Sequence, residues 1–370
     1  MATQETLKIL HVINSLATGG AERLLGEMVP RLSEAGIKVE VLLLNGAPFP
    51  FLEELRTHDN LTIFTVGKHS IYNPIFILKI APLLNKYDLV HVHLFPSLYW
   101  VAIAKMISFS KTKLLYTEHS TTNKRREHPF LIWTDRFIYR RYSKIVTIST
   151  EVKLALIKHV KIRGSRYVTI ANGVDLHKIQ NAVAADSSEF IKDWAEKIII
   201  QVSRFTPQKD QETLIRAIPF INKPVKLLLV GQGHMMEEMK ALVDSLELNE
   251  KVLFLGIRTD VPNLLKMADV AVLSSHYEGL SLSGLEAMAS GTPLVASNVP
   301  GLSNLVFGAG ILFTHKEETD LATKINRLLE DTAYYEQIAK SCMERAKKYS
   351  IEKMVSNHIK LYNQLWNGKT

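Results

Sequence analysis

Short runs of Val, Ile and Leu recur along this chain, separated by longer stretches of helical spacing, and the series starts twice. The first series reads LKILHVINSL, VEVLLLN, LTIFTV, DLVHVHLF, KLLYTEHS and KIVTIST. The second opens after residue 195 with KIIIQVSRF, VKLLLVGQG, KVLFLG, VAVLSS, TPLVAS and GILFT. Runs that are apolar without alternation suit strands buried on both faces, the condition of a parallel sheet covered by helices. Strands of that kind alternating with helices build βαβ units. A chain of 370 residues exceeds the size at which a single core keeps growing. The pattern therefore predicts an α/β protein of two doubly wound domains, residues 1–180 and 196–350. The polar stretch HKIQNAVAADSSEF supplies a linker at 181–195. Met354, Ile359, Leu361, Tyr362 and Leu365 predict a final amphipathic helix over 351–370.

A single cysteine excludes a disulfide framework and a cysteine-rich metal site. The start, MATQETLKILHVINSL, lacks the charged, apolar and small-residue segments of a secretory leader. The longest apolar candidate span, LFPSLYWVAIAKMISF, is short and carries Pro96 and Lys105. These features predict a cytoplasmic location. The net charge of +8 is unevenly spread: residues 1–180 hold 24 Lys and Arg against 14 Asp and Glu. Most of that excess lies in 105–166, which includes NKRR and RFIYRRYSK. Such a patch suits an anionic membrane surface or a phosphorylated ligand, or is simply a solvated face. No nucleic-acid signature accompanies it, so nucleic acid is not expected as a partner.

The stretch SSHYEGLSLSGLEAMASG places Glu278 before a predicted helix and Glu286 within it, with Gly291 and Pro293 as the stop. A helix start offers free N–H groups and positive partial charge to a phosphate. A carboxylate on either side can accept hydrogen bonds from a diol. The pattern suits a nucleotide sugar, with phosphates in the middle and hydroxylated rings at both ends. The competing reading is a capping box from Ser283 to Glu286. Arg204 and Lys209 in VSRFTPQKD sit on a predicted strand-end loop, where two cations could neutralise a diphosphate or merely face solvent. No Asp-x-Asp pair is present, so the simplest acidic clamp for a metal diphosphate is missing. Gly19 and Gly20 open a helix after the first strand, outside any GxGxxG pattern. VGQGH has the same shape in the second series and reads equally as a tight turn. His91 and His93 share one face of a strand, and His119 follows another; histidines so placed are either rim or core residues or catalytic ones. No metal-ligand spacing accompanies them.

Taken together, TGGAER, ANGVD, VSRFTPQKD, LVGQG, VLFLG and the run from ADVAVLSSHYEGL to EAMASGTPLVAS resemble glycosyltransferase family 4. These are retaining transferases of GT-B fold, in which two Rossmann-like domains face each other and the last helix crosses back to the first. The resemblance implies that Glu286 binds the nucleotide ribose and Glu278 the donor sugar. It gives Arg204 and Lys209 the diphosphate. Gly279, Leu280 and Ser281 would offer backbone N–H groups to phosphate and sugar, with Gly19 and Gly20 near the diphosphate. His93 would lie near the donor sugar, and the base near Gly256 to Arg258. His119, Lys124, Arg125 and Arg126 would meet the acceptor or a membrane. No metal or other cofactor is implied.

The function so implied is transfer of a sugar from a nucleoside diphosphate donor, UDP ahead of GDP. The acceptor would be a hydroxyl of a glycan or lipid-linked molecule, as in surface polysaccharide synthesis, on the cytoplasmic side of a membrane. The alternatives are an epimerase or phosphorylase of the same fold, or a silent binding subunit. Two departures from the family pattern stand out. Ser281, Ser283 and Gly284 replace bulkier residues and predict extra room at the sugar. VPGLSN lacks the common double glycine.

Overall fold

The computed structural model describes residues 6–368 apart from 18, 122–128, 163, 192 and 194. Chain contacts divide it into two units, Met1–Gly173 with Ile351–Thr370, and Val174–Ser350.

The first unit holds a seven-stranded parallel sheet in the order β3-β2-β1-β4-β5-β6-β7. Its strands are β1 (Lys8–Ile13), β2 (Lys38–Leu43), β3 (Thr62–Thr65), β4 (Leu89–His93), β5 (Lys113–Glu118), β6 (Lys144–Thr147) and β7 (Tyr167–Thr169). The six runs of the first series each supply one strand. The seventh, β7, has only three residues, too few to show a pattern. β4 is buried along its whole length, as a strand between two helical layers must be.

The second unit holds six parallel strands in the order β10-β9-β8-β11-β12-β13. They are β8 (Lys197–Val202), β9 (Val225–Val230), β10 (Val252–Gly256), β11 (Val270–Leu273), β12 (Leu294–Ser297) and β13 (Ile311–Phe313), one for each run of the second series. In both sheets the order reverses beside the first strand, between β1 and β4 and between β8 and β11. Ligands of open α/β sheets bind beyond the strand ends at such a switch point.

Residues 181–195, expected as a linker, belong to the second unit. Ala185 N donates to Asn263 O at 3.1 Å, and Phe190 and Ile191 pack on that unit's core. Three apolar side chains in a polar stretch are enough to dock it. The final helix, Ile351–Asn367, lies in the first unit. Its buried face is Ile351, Met354, Val355, His358, Leu361 and Tyr362, so a histidine completes the stripe while Ile359 and Leu365 are only half-buried. Among the described residues no helix is long and apolar enough to cross a membrane.

Candidate functional site

The second unit places Arg204, Lys209 and Glu278 on the loops at the β8/β11 switch point. β8 ends in a loop that carries Arg204, exposed, and Lys209. Ser274, at the end of β11, ties that loop down, its Oγ donating to Asp210 O at 2.6 Å. Lys209 Nζ donates to Glu278 Oε1 at 2.5 Å, and Ser275 Oγ donates to the same oxygen at 2.8 Å. Glu278 is buried, 6% exposed, so its charge is matched by a nearly buried ammonium rather than by water.

The helix that follows runs Leu282–Ser290. Its cap is Ser281, whose Oγ accepts from Gly284 N at 3.3 Å. The capping box from Ser283 therefore does not form. Glu286 lies a full turn inside the helix and is 3% exposed. Gly279 and Leu280 form the half-buried approach to the helix start. Gly284 opens no room for a sugar: a Cβ there would lie 2.9 Å from Leu273 Cδ1, against the core.

The turn at VPGLSN has a definite role. Gly301 adopts φ +87°, and a Cβ on it would lie 2.1 Å from the Glu278 carbonyl oxygen. Glu278 N in turn donates to Pro300 O at 3.2 Å. This loop fixes the backbone of Glu278, and only glycine lets it approach so closely. The glycines of VGQGH serve the same purpose for the loop after β8. Cβ atoms on Gly231 and Gly233 would each lie 2.1 Å from a carbonyl oxygen, of Ser203 and Phe205 respectively.

Gly256 ends β10, two strands from β8, and its carbonyl accepts from Gly231 N at 2.7 Å. Arg258 forms a two-pronged pair with Asp260, at 2.8 and 2.6 Å. Its guanidinium is thereby engaged, and the hydrogen bond to Asp260 raises its pKa.

In the first unit, β1 and β4 set His11 opposite His91 in register, and His93 follows on the same face. His11 Nδ1 and His93 Nε2 lie 3.1 Å apart, and His93 Nδ1 is 3.4 Å from His119 Nε2. His91 is hydrogen-bonded to Tyr362 of the final helix at 2.7 Å and to Thr117 at 2.6 Å. Burial, then neighbouring imidazoles, holds His91 and His93 well below the ordinary histidine pKa. The same two causes, with His358 as the neighbour, lower His11 to about 3 and His119 to about 4. Three members of this cluster, His11, His358 and Tyr362, are invisible in the motifs; only their spacing along β1 and the last helix marks them. Gly19 caps the helix Gly20–Glu34 without a side chain, and Gly20, its first residue, is exposed. The Glu22 carboxylate occupies the space beside Gly19, so an anion reaching this helix start meets a carboxylate. Lys124, Arg125 and Arg126 lie outside the described residues.

Residues 18–178 match the family described as Glycosyltransferase Family 4, and residues 185–349 match Glycosyl transferases group 1. The chain belongs to glycosyltransferase family 4. This family 4 enzyme is 28% identical to the Escherichia coli UDP-Gal:alpha-D-GlcNAc-diphosphoundecaprenol alpha-1,3-galactosyltransferase, over 75% of this chain and 76% of that one. It is 26% identical to the Bacillus anthracis N-acetyl-alpha-D-glucosaminyl L-malate synthase, over 94% of each. Among solved structures, Anabaena Alr3699/HepE in complex with UDP and glucose superposes with a TM-score of 0.84 at 24% identity, covering 97% of this chain and 100% of that one. The two parallel-sheet units are those of GT-B glycosyltransferases, and the enzyme is a glycosyltransferase.

Proposed function

We propose that this family 4 enzyme moves a sugar from a UDP-sugar to a hydroxyl of a glycan or lipid-linked acceptor, with retention at the anomeric carbon. The observation that carries the reading is the Lys209–Glu278 pair at the β8/β11 switch, directly before a helix start. In the free protein each charge neutralises the other. A bound donor exchanges partners: the diphosphate takes Lys209 and Arg204, and Glu278 turns to sugar hydroxyls. Glu286 accepts from the ribose diol, and the base rests near Gly256 to Arg258.

As the glycosidic bond breaks, negative charge grows on the leaving diphosphate. Lys209, Arg204 and the helix N–H groups oppose it without a metal ion. The acceptor hydroxyl attacks on the face the diphosphate leaves and gives its proton to a departing phosphate oxygen. Configuration is thereby retained with no covalent enzyme intermediate. The E. coli relative is named for a UDP-sugar and a diphospho-lipid acceptor, and HepE was crystallised with UDP. These names support the donor and acceptor classes.

The test is a thermal-shift panel of UDP, GDP, ADP and CMP, each with EDTA and with Mg²⁺, against a nucleotide-free blank in the same buffer. A ligand that binds only the folded state raises its melting temperature. UDP should shift it in both buffers. No shift with any nucleotide overturns the reading. Product analysis with the donor then separates transfer from epimerisation or phosphorolysis.

We also propose peripheral contact with an anionic membrane, at the cytoplasmic face. Trp133 and Phe137, one helical turn apart, are 71% and 48% exposed, and Phe109 is 89% exposed. Arg136 lies over the Trp133 ring and Arg141 over the Phe137 ring. Exposed aromatics set among cations suit the headgroup region of a bilayer.

A further inference from the structure

Among the described residues, two groups of side chains bring three ligand-type atoms within 4.8 Å of one another. They differ in what they could hold. His11, His91 and His93 are fully or nearly fully buried, and both ring nitrogens of His91 already have partners. A divalent ion there would find only neutral ligands and no water, an expensive place for charge. Asp210, His276 and His315 form the other group. They are half-buried, they include a carboxylate, and they come from three strand-end loops, after β8, β11 and β13.

Their geometry is specific. His276 Nδ1 is hydrogen-bonded to His315 Nε2 at 2.8 Å, a bond an ion would replace, and lies 3.4 Å from Asp210 Oδ2. Donor atoms around a tetrahedral zinc ion stand roughly 3.3 Å apart, given bonds of about 2.0–2.1 Å. The surroundings hold the donors in place. Thr213 Oγ1 donates to Asp210 Oδ2 at 2.7 Å, and His276 N donates to Gln208 O at 2.8 Å. Partial exposure leaves a fourth position for water. Lys316, next to His315, opposes a cation here, but it is exposed and screened by solvent, whereas the Asp210 carboxylate is among the donors.

We infer that Asp210, His276 and His315 bind one divalent transition-metal ion, for which two imidazoles and a carboxylate suit zinc or cobalt. Asp210 is the chain neighbour of Lys209, and His276 stands two residues before Glu278. The ion therefore ties together the loops that carry the Lys209–Glu278 pair. It sets their spacing and takes no part in breaking the glycosidic bond.

The experiment uses the full chain, stripped with chelator, and no sugar donor. It therefore stands or falls independently of the transferase reading. Co²⁺ is added, excess is removed by desalting, and retained ion is read by elemental analysis and by visible absorption. The expected result is one Co²⁺ per chain with the strong visible bands of four-coordinate cobalt, displaced by Zn²⁺. His276→Ala, His315→Ala and Asp210→Asn should each weaken binding at least about tenfold. His234→Ala, at an exposed histidine, should not. Melting curves in chelator show that each variant is folded; should His276→Ala fail to fold, His315→Ala decides. A wild-type chain that retains no ion overturns the site, as does retention unchanged by all three substitutions.

Discussion

Lys209 Nζ donates to Glu278 Oε1 at 2.5 Å, joining the loop after β8 to the loop after β11 where the strand order reverses. Both partners are largely withdrawn from water, with side-chain exposures of 16% and 8%. Removing the lysine strands a buried carboxylate, at a cost of about 3 kcal/mol. Glu278→Gln leaves a neutral amide and costs less. The two changes together should cost less than their sum, and a double-mutant cycle on melting free energies measures the difference. Additive losses would show that the pair does not act as a unit. In turnover, Lys209→Ala should lower kcat roughly a hundredfold or more, as expected for loss of charge stabilisation at a leaving group.

Glu286 is expected to act on binding rather than on turnover. It lies beyond the helix start, where a ribose diol rather than the reacting carbon would reach it. Glu286→Gln keeps the shape of this buried position but removes the charge. A hydrogen bond to a charged group contributes about 1.5–3 kcal/mol. The variant should therefore bind UDP roughly ten- to a hundredfold more weakly by calorimetry, with kcat at saturating donor changed much less. Unchanged affinity would remove Glu286 from the nucleotide site.

Gly301→Ala tests how the Glu278 backbone is held. The added Cβ would meet the Glu278 carbonyl oxygen at 2.1 Å from a backbone with φ +87°. Both effects are unfavourable, and the loss should exceed about 1 kcal/mol. Because the strain falls on Glu278, turnover should drop even at a temperature where the variant is fully folded. A folded variant with wild-type turnover would show that this loop does not position the carboxylate.

Most strands were legible because they are continuous apolar runs, and burial on both faces requires that pattern; β3, largely exposed at the sheet edge, followed from its place in the series. β7 was not, because three residues carry no period. The final helix was legible as a helix but not in its buried face, since His358 occupies a position that hydrophobic spacing assigns to a leucine. Lys209 and Glu278 were readable as strand-end residues, but their pairing depends on which strands are neighbours, and β8 and β11 are separated by two intervening strands in the chain. The role of Gly301 was hidden for the same reason: its requirement comes from Glu278, 23 residues away. Residues 181–195 misled because their composition is polar although Ala185, Phe190 and Ile191 are what the core uses.

The histidine cluster of the first unit makes a prediction about acid stability. His11 is lowered to about 3, and His119 and His358 to about 4; His91 and His93 lie well below the ordinary value. Burial is the first cause in each. The folded state thus holds these rings neutral, while the unfolded chain protonates them near pH 6.5. Their contribution to stability is complete above pH 6.5 and is lost as pH falls toward 4. At pH 5 each ring whose folded pKa is near 4 costs about 2 kcal/mol relative to neutral pH. Melting temperature should fall steeply between pH 7 and 5, and His358→Gln should flatten that slope. A melting temperature constant over this range would contradict the burial of the cluster.

Membrane contact is the last expectation, and it depends on a face rather than on a site. Trp133 and Phe137 project from the helix Pro129–Tyr139; the exposed Arg140 and Arg141 follow it directly, and the exposed Lys158 lies on the helix Thr150–Val160. His159 Nε2 is paired with Asp135 Oδ2 at 2.7 Å, which fixes the two helices side by side. Aromatic rings bury at the headgroup level, and each nearby cation adds about 1 kcal/mol of attraction to anionic lipid. Trp133→Ser with Phe137→Ser should lower binding to vesicles containing phosphatidylglycerol by tenfold or more. Binding should also weaken with salt, because part of it is electrostatic. UDP affinity should not change, since neither residue is among the proposed donor contacts. Vesicle binding that survives the double substitution would assign this face to solvent and leave the lipid question to the basic segment around Lys124.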